Sequence, residues 1–241
     1  LKSCIQSSDG FFFLNKGEYY EANKNIKIPN PFIIPNGINI NKFKKDKILS
    51  LSKKKIIFFG RIHKKKGIDI LIDSIQLLPD NFFENFQFEI CGPGEKKYVN
   101  SIKDKINRYN LEDKLSLKKF VKRDKKIDYL SKASIFVLPS FEEGDSIALK
   151  EALAMSIPVI ISKQCRLDIV EEYNSGIVID LSVNNLSNAL MKISKKDLIS
   201  MGIGARRLIV DKFDNIICCK RILKIYKDIH CGSKISKDWI L

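Results

Sequence analysis

The stretch SIFVLPSFEEGDSIALKEALAMSIPVIIS, residues 134–162, has the pattern of a strand, a loop, a helix and a second strand. Residues 134–139 and 158–162 are short runs rich in β-branched and other apolar residues. Between them, residues 146–155 place alanine and leucine at helical spacing. Strands that are apolar throughout, rather than alternating, are typical of a sheet that helices cover on both faces. The stretch therefore predicts one β-α-β unit of a parallel sheet.

The same alternation continues over most of the chain. Further strands are expected at 55–59, 86–91, 115–120 and 176–180. Further helices are expected at 67–78, 95–110, 124–132, 166–173, 183–192, 195–211 and 214–229. This order predicts an α/β fold with a doubly wound, parallel, Rossmann-like sheet.

The amino end does not follow this alternation. It contains one candidate helix, GEYYEANKN (17–25), and then IPNPFIIPNG (28–37), whose three prolines predict a stiff hinge. We therefore expect three parts: 1–36 as the tail of a preceding unit with its hinge, 37–212 as the α/β domain, and 213–241 as a carboxyl-terminal helix and tail.

The chain has 241 residues and a formal net charge of +15, from 43 lysines and arginines against 28 aspartates and glutamates. This charge attracts anionic partners such as nucleotides, nucleic acid or anionic lipid head groups, but a lysine-rich background explains it as well. No apolar run reaches the roughly 18 residues of a transmembrane helix, and no signal-peptide pattern is found. The six cysteines and two histidines show no zinc-binding spacing, which indicates a reduced, cytoplasmic protein.

Ligands of open parallel sheets bind beyond the carboxyl ends of the strands, so the residues that follow each strand are candidates for a site. After the first expected strand, Gly60 allows a tight turn, and Arg61 and Lys66 place cations near the start of a helix. These groups suit a diphosphate, although a solvated basic loop is the alternative. After the next strand, Gly92 lets the backbone approach a ligand closely, or belongs to an isolated turn.

Two carboxylates, Glu143 and Glu151, flank the start of the helix at 146–155, with seven residues between them. Asp145 or Ser146 can cap this helix, and the nearby amide groups would face an anion. Glu151 lies about a turn and a half inside the helix. If it packs on the sheet it needs a partner, because burying a lone carboxylate is costly. Paired sugar hydroxyls supply such donors, whereas a glutamate facing solvent needs none.

Several of these stretches occur together in a known order, and the chain resembles the carboxyl-terminal half of retaining family 4 glycosyltransferases, which have the GT-B fold. The resemblance covers roughly residues 30–229. Its most specific elements are the glutamate-x7-glutamate motif, Glu143 and Glu151, and the G-R-x4-K-G loop at 60–67. The segments that carry it are IPNGI (34–38), FFGRIHKKKGIDILIDSI (58–75), ICGPGE (90–95), ASIFVLPSFEEGDSIALKEALAMSIPVI (133–160) and FDNIICCKRILKIYKDI (213–229).

The resemblance implies transfer of a hexose, with retention, from a UDP- or GDP-sugar to the hydroxyl of a glycan or lipid-linked acceptor, in polysaccharide or glycolipid synthesis. Arg61 and Lys66 would hold the donor diphosphate, Glu143 would lie near the reacting centre, and Glu151 would accept hydrogen bonds from the ribose. No cofactor and no metal ion are expected, because the two cations replace a metal electrostatically. The donor-binding residues that the resemblance implies are Gly60, Gly92, Phe120, Val121, Gly144, Asp145, Ser146, Ile147 and Glu151.

The sequence departs from the family pattern at three positions. Asp145 stands where the family commonly has a phenylalanine, and Lys119 and Ser156 stand where glycine is common. The amino-terminal lobe, which carries most of the acceptor site, could be represented only by its last helix and hinge within 1–36. The chain is therefore expected to hold the donor lobe, to turn over slowly or not at all by itself, and to send its last helix back towards the other lobe.

Two other kinds of function remain open at this point. One is a nucleotide-sugar epimerase or a phosphorylase of the same fold, and the other is a basic module that binds polyanions. The chain lacks the aromatic and basic interleaving of an RNA-binding sheet, so nucleic acid is not an expected partner. The positive charge fits a peripheral enzyme at the cytoplasmic face of a membrane. The sequence specifies neither the base, the sugar, the acceptor nor the oligomeric state.

Overall fold

The structure, a computed structural model, describes residues 2–43 and 53–232, and in this part of the chain eight strands form two separate parallel sheets. Residues 44–52 of the expected segment 37–212 lie outside this description, and so do residues 233–241 of the expected segment 213–241. The strands are β1 (Phe11–Phe13), β2 (Pro31–Ile33), β3 (Lys54–Phe59), β4 (Phe86–Cys91), β5 (Leu115–Lys118), β6 (Ile135–Leu138), β7 (Val159–Ser162) and β8 (Gly176–Ile179).

The helices of the described residues mostly fall where the apolar spacing predicts them. They are α1 (Lys2–Gln6), α2 (Lys16–Asn23), α3 (Ile68–Gln76), α4 (Phe82–Asn85), α5 (Lys96–Arg108), α6 (Lys126–Ser131), α7 (Ile147–Ala154), α8 (Ile169–Glu172), α9 (Val183–Ser194), α10 (Leu198–Leu208) and α11 (Asn215–His230). The short α1 and α4 are not predicted. The helix expected over 195–211 ends at Leu208, where the chain continues as a π-helical turn, Ile209–Phe213.

The main sheet has the strand order β5-β4-β3-β6-β7-β8, with every neighbouring pair parallel. The prediction of a doubly wound, Rossmann-like sheet is therefore confirmed. The order reverses direction between β3 and β6, and such a reversal opens a crevice at the carboxyl ends of these two strands.

The core of this sheet is buried on both faces. All four residues of β6 and all four of β7 are buried, and successive strand residues point to opposite faces. Helix α3 packs beside α5 and α9, while α7 packs beside α10. This burial explains why the strands are continuous apolar runs rather than alternating ones.

The amino-terminal segment contains a strand where the sequence predicts only a hinge. Pro31, Phe32 and Ile33 form β2, which pairs in parallel with β1. Proline is tolerated there because it is the first residue of the strand. The last helix, α11, packs on this small sheet, where Phe32, Ile34 and Ile225 form a buried cluster with Ile222 and Ile229 beside it.

The chain that leads into the main domain is fastened to it by backbone hydrogen bonds. The Ile38 amide donates to the Phe213 carbonyl oxygen at 2.7 Å, and the Asn215 amide donates to the Ile38 oxygen at 3.0 Å. The Arg206 guanidinium donates to the carbonyl oxygens of Ile40 and Phe43. Residues 36–43 follow the last proline of the stretch that the sequence predicts as a hinge, and we call 36–43 the hinge segment from here on.

Ser156, one of the departures from the family pattern, has a left-handed backbone with φ of +59°. For a residue with a side chain this conformation costs about 1–2 kcal/mol, which explains why glycine suits the position. We expect Ser156→Gly to raise the free energy of unfolding by up to about 1 kcal/mol in urea denaturation, after the backbone entropy of glycine is subtracted.

The matched control is Ser101→Gly, in the interior of α5. There the backbone is helical, so glycine should lower the free energy of unfolding by about 0.5 kcal/mol. Destabilisation by both changes would contradict the account of Ser156.

Candidate active site at the strand-order reversal

The loops after β3 and β6 meet at the crevice between these strands. Gly67, with φ of +67°, begins α3, and a β-carbon there would lie 1.8 Å from the Pro139 carbonyl oxygen. The Phe141 amide donates to the Lys65 oxygen at 2.8 Å. The backbone thus holds the basic turn at 64–66 against the acidic loop at 142–143. The two are close because they follow β3 and β6, which are neighbours in the sheet.

Three side chains of these loops, Arg61, Lys66 and Glu143, are predicted to be catalytic, and two of them form an ion pair. The Lys66 ammonium contacts the Glu143 carboxylate, and the Ser140 hydroxyl donates to the same Glu143 oxygen at 3.0 Å. The side chains of Lys66 and Glu143 are 20% and 9% exposed. Beside them, Lys65 and Glu142 form a second pair that is largely exposed. A cation and a carboxylate predicted from separate motifs are therefore in direct contact.

The loops after β3 and β4 also run side by side. The Gly60 amide donates to the Cys91 oxygen at 3.0 Å. At Gly92 a β-carbon would lie 1.7 Å from the Gly60 carbonyl oxygen, so a glycine is required there. The atom that excludes a side chain at Gly92 belongs to the loop after β3. Packing between the two loops is therefore enough to explain the glycine, without a ligand.

Arg61 lies on the exposed side of this arrangement and lines a cavity of about 370 Å³. The cavity is lined by Arg61, His63, Lys65, Lys66, Glu142, Glu143 and Gly144. It combines four basic residues with two carboxylates, and it opens at the start of α7. Such a cavity offers donors to an anion at its basic side.

The start of α7 is capped as the sequence predicts, with Ser146 as the cap residue. Its hydroxyl accepts from the Leu149 amide at 3.4 Å. Gly144 and Ile147 on either side are exposed. The free amide groups of this first turn add to the positive potential of the crevice.

Glu151 is buried, so the alternative of a solvent-facing glutamate is wrong. It is 6% exposed, and its carboxylate is paired with the Lys126 ammonium at the start of α6. The Lys126 side chain is 21% exposed. Phe120, in the loop before this helix, is 56% exposed, and Val121 is half-buried. Phe120 and Val121, which the resemblance places beside the base, thus lie on the segment that connects β5 to Lys126, and Glu151 of α7 contacts the end of that segment through Lys126.

Asp145 differs from the other predicted donor-binding residues in the direction of its side chain. Its carboxylate pairs with Lys150 of α7 and also accepts from the Asn36 amide at 2.8 Å. Burial lowers the pKa of the Lys150 ammonium, and its contact with Asp145 opposes that change. The carboxylate therefore faces the hinge segment.

Three residues near the site are missed by sequence reasoning: Ser140, Lys126 and Lys150. Lys150 carries a signal, because it and Glu151 are the two charged residues of the apolar run IALKEALA, and Asp145 is a potential partner five residues earlier. Lys126 lies within a run of basic residues, KRDKK, and nothing local separates it from its neighbours.

Among the described residues, no group of three or more His, Cys, Asp or Glu side chains is arranged to hold a metal ion. Cys165 lies near the site, with its thiol 3.4 Å from the Leu138 carbonyl oxygen at the end of β6. Burial, and to a smaller extent the Glu143 carboxylate, raises the pKa of this thiol to about 11.

Comparison with known proteins agrees with this geometry. The family model described as glycosyl transferases group 1 matches residues 39–206. The chain belongs to this family. A UDP-Gal:alpha-D-GlcNAc-diphosphoundecaprenol alpha-1,3-galactosyltransferase of Escherichia coli is 29% identical over 226 residues, which are 85% of this chain and 55% of that protein. The chain thus spans about half the length of the curated relatives it matches.

Solved structures of other glycosyltransferases share the fold. A glycosyltransferase from Rickettsia africae superimposes with a TM-score of 0.82 at 18% identity, over 96% of this chain and 67% of that one. The Anabaena protein HepE in complex with UDP and glucose superimposes with a TM-score of 0.79 at 16% identity, over 93% of this chain and 64% of that one. These similarities establish the Rossmann-like lobe of a GT-B glycosyltransferase as the architecture.

Within residues 2–43 and 53–232, no helix combines the length and apolar character needed to cross a bilayer.

The environment of Cys165 makes a prediction about thiol reactivity in this lobe. At pH 8 a thiol with a pKa of about 11 is roughly 0.1% thiolate, so iodoacetamide should modify Cys165 far more slowly than the exposed Cys4 and Cys231. Peptide mass spectrometry after timed alkylation measures the three rates. In urea the three should become similar, and equally fast labelling of Cys165 in the native chain would show that it is accessible.

Proposed function

We propose that this chain is the donor-binding lobe of a retaining glycosyltransferase that moves a hexose from a UDP- or GDP-sugar to an acceptor hydroxyl. The observation that carries the proposal is the meeting of two cations, Arg61 and Lys66 from the loop after β3, with Glu143 from the loop after β6 at one cavity that also reaches Gly144. Glu151 is a second buried carboxylate, one turn inside α7 and paired with Lys126. Packing of the sheet does not require these charges.

In this proposal the diphosphate of the donor binds at the basic side of the cavity. Arg61 donates to its oxygens, and Lys66 leaves Glu143 to bind them as well. As the bond to the sugar breaks, negative charge grows on the leaving diphosphate, and fixed cations stabilise it in a site that excludes water. The proposal includes no metal ion and no other cofactor.

The ribose binds at Glu151 in place of the Lys126 ammonium. Paired hydroxyls can donate to a carboxylate that is otherwise buried and satisfied by a cation. Lys126 is partly exposed, so it can turn towards solvent or towards the nucleotide. Glu143, freed from Lys66 and still held by Ser140, then lies beside the sugar.

For the acceptor we propose a glycan or a lipid-linked glycan at the cytoplasmic face of a membrane. Two findings support this choice: the name of the Escherichia coli relative includes a diphosphoundecaprenol acceptor, and a net charge of +15 draws a protein to anionic lipid surfaces.

The test of donor binding is calorimetry with UDP, GDP, ADP and pyrophosphate at two salt concentrations. Arg61→Ala should weaken binding of the preferred nucleotide by at least about 1.5 kcal/mol, because it removes a charge-assisted hydrogen bond. Lys64→Ala is the matched control, since Lys64 is an exposed cation of the same turn that does not line the cavity. If both variants lose the same amount of binding free energy, Arg61 contributes only through the general positive charge of the surface, which would contradict its proposed contact with the diphosphate.

Glu151 should matter for the nucleoside and not for the phosphates. We expect Glu151→Ala to weaken nucleoside diphosphate binding by about 1–3 kcal/mol and to leave pyrophosphate binding nearly unchanged. The exposed Glu112→Ala controls for the general effect of removing a negative charge. Equal losses for both ligands would argue against a ribose contact. If all anions bind alike and salt abolishes binding, the chain is a polyanion-binding module.

A further inference from the structure

Lys150 and Asp145 form a buried ion pair that holds one residue of the hinge segment from both sides. Lys150 is 1% exposed, and its ammonium donates to the Asn36 carbonyl oxygen at 2.9 Å. Asp145 accepts from the Asn36 amide at 2.8 Å. The ammonium also lies 4.6 Å from the centre of the Phe213 ring. Both backbone groups of Asn36 are thus bound by side chains more than 100 positions away in sequence.

A buried ion pair of this kind is not explained by stability. Taking two charges out of water is costly, and a well-packed apolar pair is often at least as stable. The best-attested use of buried charges is to fix one arrangement of two elements relative to each other. Here the two elements are the loop at the start of α7 and the hinge segment.

The same loop has a second contact with the amino-terminal segment. The Asn15 side-chain amide donates to the Gly144 carbonyl oxygen at 2.6 Å, and the Arg166 guanidinium donates to the Asn15 side-chain oxygen at 3.2 Å. Gly144 and Asp145 are neighbours, so the amino-terminal part of the chain contacts this loop at two consecutive residues. The amides of this loop are the ones that face the proposed donor.

We propose that Asp145 and Lys150 are positioning residues that couple the donor-binding loop, Gly144–Ile147, to the hinge segment at Asn36. A change in the loop on donor binding moves Asp145, and Asp145 with Lys150 transmits it to the segment that leads into the main domain. The link to the donor rests on the proposed function, whereas the coupling of the two segments does not.

The coupling is tested without any nucleotide, by residue-resolved amide hydrogen exchange. The double variant Asp145→Asn, Lys150→Met removes both charges and nearly keeps the side-chain volumes. We expect exchange to become at least tenfold faster in the hinge segment, 36–43, and at 149–150, whose amides donate to Ser146 of the loop, with β6 and β7 unchanged. Lys132→Met, which breaks the exposed pair with Asp128, is the control and should change neither segment. If the double variant does not fold, Asp145→Glu serves instead, because it keeps the charge pair and displaces the carboxylate from the Asn36 amide.

A merely structural tie would give a different result. If exchange at Asn36 becomes faster while exchange at 149–150 stays as in the unmodified chain, the pair fastens the hinge without positioning the loop, and the proposal is overturned. Exchange rates in the variant that match those of the unmodified chain at both places would also overturn it.

A second arm adds UDP at saturating concentration, with pyrophosphate in parallel. In the unmodified chain UDP should slow exchange both in the hinge segment, 36–43, and in the donor-binding loop, 144–147. In the double variant it should slow exchange in 144–147 only. Protection of both segments in the variant contradicts transmission through the pair. If no nucleoside diphosphate protects the unmodified chain, the proposed function fails, while the nucleotide-free arm still decides the coupling.

Discussion

The close approach of two loops at the reversal of strand order, between β3 and β6, is the constraint on which the rest of the site depends. Gly67 admits it, because a β-carbon there would overlap the Pro139 carbonyl oxygen. Taken separately, the basic turn after β3 and the acidic loop after β6 are ordinary solvated segments. Brought to one crevice, they place a cation and a carboxylate in contact and aim the start of α7 at the same space. The contact between these opposite charges therefore depends on the strand order of the sheet as much as on the residue types.

In a chain with a net charge of +15, three lysines near the crevice, Lys66, Lys126 and Lys150, are each paired with a carboxylate. The pairs differ in how accessible their cations are. The Lys66 and Lys126 side chains are 20% and 21% exposed, whereas that of Lys150 is 1% exposed. A partly exposed lysine can leave its carboxylate for a ligand when another donor satisfies that carboxylate, as the Ser140 hydroxyl does at Glu143. A fully buried lysine has no water to turn to, so Lys150 is confined to its pair, whereas the exposure of Lys66 and Lys126 is compatible with the binding roles proposed for them.

The positions of the six strands of the main sheet, and of the crevice at their carboxyl ends, were predictable because both depend on local pattern. Continuous apolar runs locate the strands, and the residues after each strand locate the crevice. The pairing of β1 with β2 was not predictable, because it joins two short segments, one of them rich in proline, that lie twenty residues apart. The partners of Lys126 and Lys150 were missed for the same reason. A local pattern marks a lysine, but its burial is decided by residues such as Asn36 that arrive from far along the chain.

The departure at Asp145 shows why such residues have to be interpreted together. An aspartate in place of an aromatic residue beside a sugar site would, by itself, suggest a change in the ligand. The structure turns its carboxylate away from the cavity and towards Lys150 and Asn36. Either charge without the other would be buried and uncompensated, which is strongly unfavourable, so the two residues form one unit. Because that unit binds both backbone groups of a hinge residue, the difference from the family pattern concerns how the loop is held in place. Gly144 of the same loop still lines the cavity, where the donor is proposed to bind.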